Sequence, residues 1–82
     1  MTAHCCSNYD YGIHEIFING HSCGTHDFYA AKINWPLLDL GNIHLNKAIN
    51  RFEVVAKGSN PKADKRRLFA LDYIKLEKVH AL

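Results

Sequence analysis

The sequence predicts an all-β, antiparallel sandwich of about five strands, and three observations carry that expectation. Asn19-Gly20 separates two runs rich in aromatic and β-branched residues. The run Arg51 to Lys57 alternates, with Phe52, Val54 and Ala56 on one side and Arg51, Glu53 and Lys57 on the other. No stretch keeps a helical period over a useful length.

The elements follow in order. Residues 1–8 show no periodicity and are expected to form a flexible arm, leaving residues 9–82 as one β-sandwich domain or part of one. Tyr11 to Ile18 is the first strand, since its side chains suit a pleated, half-buried surface. Asn19 and Gly20 both accept the positive φ of a type I′ turn, so His21 to Tyr29 returns antiparallel, with a bulge or bend at Gly24. Ala30 to Pro36 is a loop, because Pro36 cannot donate to a central ladder. Leu37 to Leu45 is the third strand, its alternation slipping phase at Gly41-Asn42 as a bulge would make it do. Asn46 to Asn50 turns the chain into the strand Arg51 to Lys57. Gly58 to Arg67 is a polar loop, and Leu68 to Lys78 is the last strand. In that strand Ala70, Asp72, Ile74 and Leu76 share the inward face.

Size and composition narrow the function. A chain of 82 residues buries only a modest fraction of its unfolded surface, so its one Trp, four Tyr and four Phe carry much of the contact area. A formal charge of +2 is too small for nucleic-acid binding, and the basic run Lys62, Lys65, Arg66 and Arg67 is expected to be a solvated loop. No apolar run approaches membrane-spanning length. Cys5, Cys6 and Cys23 are an odd set, too sparse for a disulfide framework. No cofactor is called for, and the sequence leaves the compartment open.

From Leu38 to Leu76 the chain carries Asp39-Leu40-Gly41, Leu45, Asn50-x-Phe52, Val55, Gly58-x-Asn60-Pro61 and Phe69-x-Leu71-Asp72-Tyr73-Ile74-x-Leu76. Tyr11-Gly12-Ile13, the Asn19-Gly20 turn and Phe28-Tyr29 precede it. This pattern resembles the C-terminal β-jelly-roll domain of the difructose-anhydride-synthase-like glycoside hydrolases, glycoside hydrolase family 172. The resemblance covers Tyr11 to Glu77. It implies a jelly-roll-like sandwich, which has about eight strands when complete, and therefore a truncated one. It also implies a carbohydrate-active context without the acidic catalytic residues, none of which can be placed here. The expected function is a non-catalytic accessory or assembly domain with weak carbohydrate binding. A sandwich lacking strands exposes edges and apolar surface, so a homo-oligomer, or docking onto a missing domain, is expected. A glycoside-hydrolase fragment active only when assembled is the enzymatic alternative.

Individual residues are weighed against that frame. Trp35, Tyr29 and Phe28, with Tyr11, are candidates for a platform on which a sugar ring stacks, Trp35 foremost; closing the core is the competing role for Trp35. Asp72, inward among apolar neighbours, is expected to be a structural carboxylate bonded to backbone amides, with the Asn60-Pro61 loop as its partner. His21, Cys23 and His26 are the ligands of an alternative zinc-binding reading, with His4, Cys5 and Cys6 available to complete a site, although the spacing matches no standard zinc pattern. No catalytic residue is assigned, because a Cys and a His without an orienting group or an oxyanion donor make no nucleophilic centre.

Overall fold

A computed structural model describes residues 1–77; the expected end of the last strand at Lys78, and the end of the 9–82 domain, lie outside them. The described chain forms six strands: β1 (Thr2–Cys5), β2 (Ile13–Ile18), β3 (His21–Asp27), β4 (Leu37–Asp39), β5 (Phe52–Gly58) and β6 (Leu71–Lys75). They make two three-stranded sheets, ordered β4-β1-β6 and β3-β2-β5, and every ladder is antiparallel. The all-β, antiparallel sandwich class is therefore what the chain adopts.

The first hairpin follows its turn chemistry. Asn19 (φ 51°) and Gly20 (φ 82°) both sit at positive φ, and Ile18 pairs with His21 across the turn, as a type I′ connection requires. Between the pairs Glu15–Thr25 and Phe17–Ser22, one residue of β2 faces two of β3. The extra residue is accommodated at Gly24, whose φ of 97° suits a residue without a Cβ.

The N-terminal segment corrects the expected flexible arm. β1 is the central strand of its sheet, pairing with β4 and β6, and its side chains alternate: Ala3 and Cys5 are fully buried while Thr2 and His4 are half-buried. The alternation escapes a sequence scan because its inward residues are small. Strand character here comes from hydrogen-bonding partners more than thirty residues away, and local propensity is a weak guide to such pairing. The segment beyond β1 then crosses to the other sheet, with Ser7 bridging Asn34 and Tyr11 bridging Leu68.

The boundaries of all five expected strands also move, β2 starting at Ile13 and β3 ending at Asp27. β4 ends at Asp39, so the phase slip at Gly41-Asn42 marks the end of a strand and not a bulge within one. Leu40 adds one further bond, its N–H reaching the Met1 carbonyl at 2.9 Å. β5 keeps Phe52 and Val54 half-buried but leaves Ala56 exposed; it is an edge strand, and Lys57 is an unpaired extra residue between the pairs Ile13–Gly58 and His14–Ala56. β6 begins at Leu71, and its first turn of pairing is also irregular: His4 faces Tyr73 while Cys5 faces Leu71, so Asp72 is a bulged residue.

Between the sheets lie Ala3, Cys5, Ile16, Phe28 and Leu40, flanked by Tyr11, Phe52, Val54 and Phe69. Phe28 and Phe69 meet edge to face at 5.3 Å, a favoured aromatic geometry. His14 is buried beside them, its Nε2 3.0 Å from the Leu68 carbonyl.

Candidate functional site

The bulge in β6 creates the most distinctive surface of the molecule. In a regular ladder one residue faces one; here both Asp72 and Tyr73 stand opposite His4. Bulged strands re-aim side chains in this way. Asp72 Oδ2 lies 2.8 Å from His4 Nδ1, and the Tyr73 ring stacks on the His4 ring at 4.8 Å with 29° between planes. Because a carboxylate only accepts, the proton of this bond sits on Nδ1.

A third ring arrives from the other flank. Cys5 N–H donates to the Pro36 carbonyl at 3.0 Å, and Ser7 and Asn34 exchange N–H···O bonds of 2.7 and 2.8 Å. The backbone is thus pinned on both sides of Trp35, whose own N–H donates to Asn34 Oδ1 at 2.9 Å. The indole is held 5.9 Å from His4, 25° from parallel. Trp35, His4 and Tyr73 form a continuous stack across the outer face of β4-β1-β6, with Trp35 46% and Tyr73 49% exposed. His4 Nε2 has no hydrogen-bond partner among the described residues.

Trp35 is the one expected platform residue that the structure places in this stack. Phe28 is 1% exposed and belongs to the core, so the sugar-contact expectation for it is corrected: its neighbours are Phe69 and His14, on the inner side of the sheets. Tyr29 is half-buried, its N–H bonded to Asp27 Oδ1 at 2.9 Å, and Tyr11 packs against the core. No ring contact joins any of the three to Trp35 among the described residues.

Asp72 is likewise corrected, from interior to surface. Its side chain is 53% exposed, because the bulge reverses the phase on which the inward assignment rested. The carboxylate that meets Asn60 is Asp27, with Asn60 Nδ2 donating to Asp27 Oδ2 at 2.9 Å. Asn60 also closes its own turn before Pro61, accepting from Lys62 N–H at 3.0 Å. The buried acid is Asp10, 3.7 Å from Arg66, which no sequence signal singled out.

The proposed zinc ligands do not converge. His21 is exposed, the Cys23 thiol donates to the His21 carbonyl at 3.8 Å, and His26 Nε2 sits 3.2 Å from the Cys23 carbonyl. Cys5 points into the core. Among the described residues, no group of three or more His, Cys, Asp or Glu side chains is placed to hold a metal ion.

His4, Asp72 and Tyr73 were not foreseen as a site. The sequence singles out His4 only as a spare zinc ligand, Asp72 as a structural carboxylate, and Tyr73 as part of a strand ending. No family model, curated protein or solved structure matches the chain. The chemical reading therefore rests on the geometry: two half-open aromatic rings, an imidazole between them, and a carboxylate at their side. Such a surface can bind the apolar face of a ring and accept hydrogen bonds from its substituents.

Proposed function

We propose that this is a non-catalytic β-sandwich domain that binds carbohydrate by stacking a sugar ring on the Trp35–His4–Tyr73 surface. The observation that carries the reading is the stack itself: three aligned rings lie on a solvent-facing sheet, and the two outer ones are about half exposed. Aromatic side chains left open and backed by polar acceptors suit a ligand with one apolar face and a polar rim. The sequence pattern that resembles the jelly-roll end of family 172 glycoside hydrolases, which no family model matches, is in keeping with an accessory domain in a carbohydrate-active context.

Trp35 is the only tryptophan, so its emission reports on the site directly. Titration with neutral β-linked gluco-oligosaccharides is expected to shift that emission saturably, and affinity electrophoresis in a soluble β-glucan gel to retard the native chain but not Trp35→Ala. An unchanged emission, with equal mobility of the two proteins, would overturn the reading.

A second reading, assembly through the same face, is favoured by Leu37, the β4 residue paired with His4 on the side away from Tyr73, which is 57% exposed. Sedimentation velocity separates the two: assembly predicts a concentration-dependent dimer that Leu37→Lys abolishes, and a monomer throughout would exclude it.

A further inference from the structure

We infer that the stack prefers sugars bearing a protonated amine, so that glucosamine-type units bind more tightly than neutral, N-acetylated or uronic-acid units. The inference rests on the stacking reading above and adds the ligand's chemical class to it.

The charged group at the stack is an acceptor, and so is the open nitrogen of His4, while the Trp35 indole N–H and the Tyr73 hydroxyl can donate. Asp72 Oδ2 accepts the His4 Nδ1 proton, which leaves Oδ1 free and, in the neutral ring, a lone pair on Nε2. The rings themselves present negative π-faces, which attract cations. A ligand that donates, and above all a cationic donor, matches these acceptors and π-faces at once. A uronic-acid carboxylate meets Asp72 as a like charge. An N-acetyl group keeps one N–H but loses the charge.

The charges farther along the sheet nearly offset one another and leave Asp72 to set the preference. On the outer side of the sheet, one pair along from His4, Thr2 is flanked by Asp39 and Lys75. Lys75 is held 3.3 Å from Glu77, so its charge is partly offset, and Asp39 Oδ1 accepts from Gly41 N–H at 2.8 Å. The Met1 ammonium, donating to the Gly41 carbonyl at 2.8 Å in the same corner, offsets Asp39, so Asp72 is the carboxylate that the stack itself presents. The bulge makes the difference: a regular β6 would alternate Asp72 onto the other side of the sheet from Tyr73.

The test is fluorescence titration of the whole chain with four β-1,4-linked oligosaccharides of equal length, made of glucose, glucosamine, N-acetylglucosamine or galacturonic acid. The buffer is low in salt, at a pH where the amine is charged. Glucosamine oligomers are expected to bind tightest, by roughly threefold to tenfold over glucose oligomers, which is the scale of one exposed ion pair plus a cation–π contact. Uronic-acid oligomers are expected to bind weakest. The preference should shrink as salt is raised, a readout that requires no variant. In Asp72→Asn, whose amide oxygen can still accept from His4, the glucosamine-to-glucose affinity ratio should fall to the smaller value that the cation–π contact alone supports. Equal affinities for the two oligomers, or a preference undiminished in Asp72→Asn or at high salt, would overturn the inference while leaving the stacking reading intact. No response of Trp35 to any of the four would overturn both.

Discussion

The two sheets are built alike and dressed differently. At the centre of β3-β2-β5, the outward residue Glu15 accepts the Ser22 hydroxyl at 2.7 Å from β3 and meets Lys57 at 3.4 Å from β5. At the centre of β4-β1-β6, the outward residue His4 is met by a carboxylate and a phenol from β6 and by the indole preceding β4. Both are three-strand polar crossings anchored on a middle strand. One ends in charges that water solvates, the other in aromatic rings that water does not. Antiparallel sheets commonly turn a polar face to solvent, so the aromatic face is the departure on which the proposed binding rests.

The sheets also differ in how they hold together, and removing β1 is the harshest test of that difference. Deleting residues 1–6 leaves β4 and β6 without their shared partner and uncovers Phe28 and Ile16. The cooperative thermal transition is expected to disappear, whereas a flexible arm would be lost without consequence. Next in size is a pair of aromatic truncations. Phe28→Ala, in the core, should cost about 3–5 kcal/mol, read from chemical denaturation. Trp35→Ala, on the surface, should cost under about 1 kcal/mol while abolishing carbohydrate retardation. Equal destabilisation by the two would mean that Trp35 is a core residue and the stack is structural.

The same contrast explains what the sequence could reveal. The β2–β3 hairpin is contiguous, its turn residues are diagnostic, and Gly24 betrays its bulge; nothing distant is needed to see it. The β4-β1-β6 sheet joins segments from residues 2, 37 and 71 onward, and its centre buries only Ala3 and Cys5, side chains too small to announce a core strand. The site compounds the difficulty. Trp35 was visible as an unusual loop aromatic, but His4 lay in an apparently unstructured terminus. Asp72 was assigned inward by an alternation that the bulge interrupts. A bulge without glycine leaves no trace in composition, since it depends on the register between two strands. Assembly of the site is therefore a property of pairing, and pairing is what a single sequence shows least.

The thiols sharpen the comparison at a finer scale. Cys5 and Cys6 are buried at the end of β1, and Cys23 is half-exposed on β3. Burial, with the neighbouring Cys6, pushes the Cys5 thiol up from its ordinary range, and only the thiolate reacts readily. An aromatic disulfide reagent should label one thiol rapidly, identified by peptide mapping as Cys23. Cys5 and Cys6 should follow only at the rate of unfolding, and speed up together in mild denaturant. Early labelling of Cys6 in the native protein would show that β1 frays while the hairpin sheet stays closed, making the two sheets separate stability units.

The smallest effect belongs to the solvated crossing. The Ser22 hydroxyl, then Lys57, hold the Glu15 carboxyl below its ordinary value of 4.5. A group whose folded pKa is lowered binds fewer protons folded than unfolded, so stability rises with pH between the two values. The contribution of Glu15 is complete above the unfolded value and fades as the pH falls through the lowered folded value. Comparing denaturant midpoints of the native chain and Glu15→Gln cancels the other carboxylates, and the difference should narrow on acidification. Ser22→Ala should remove more of it than Lys57→Gln, because the hydroxyl is the larger cause, and salt should erode chiefly the lysine's share. Parallel acid profiles for the native chain and Glu15→Gln would show that this crossing contributes nothing to the fold. Both outer faces would then be free of structural duty, and the polar one could no longer serve as the purely structural counterpart against which the aromatic one is read as a binding surface.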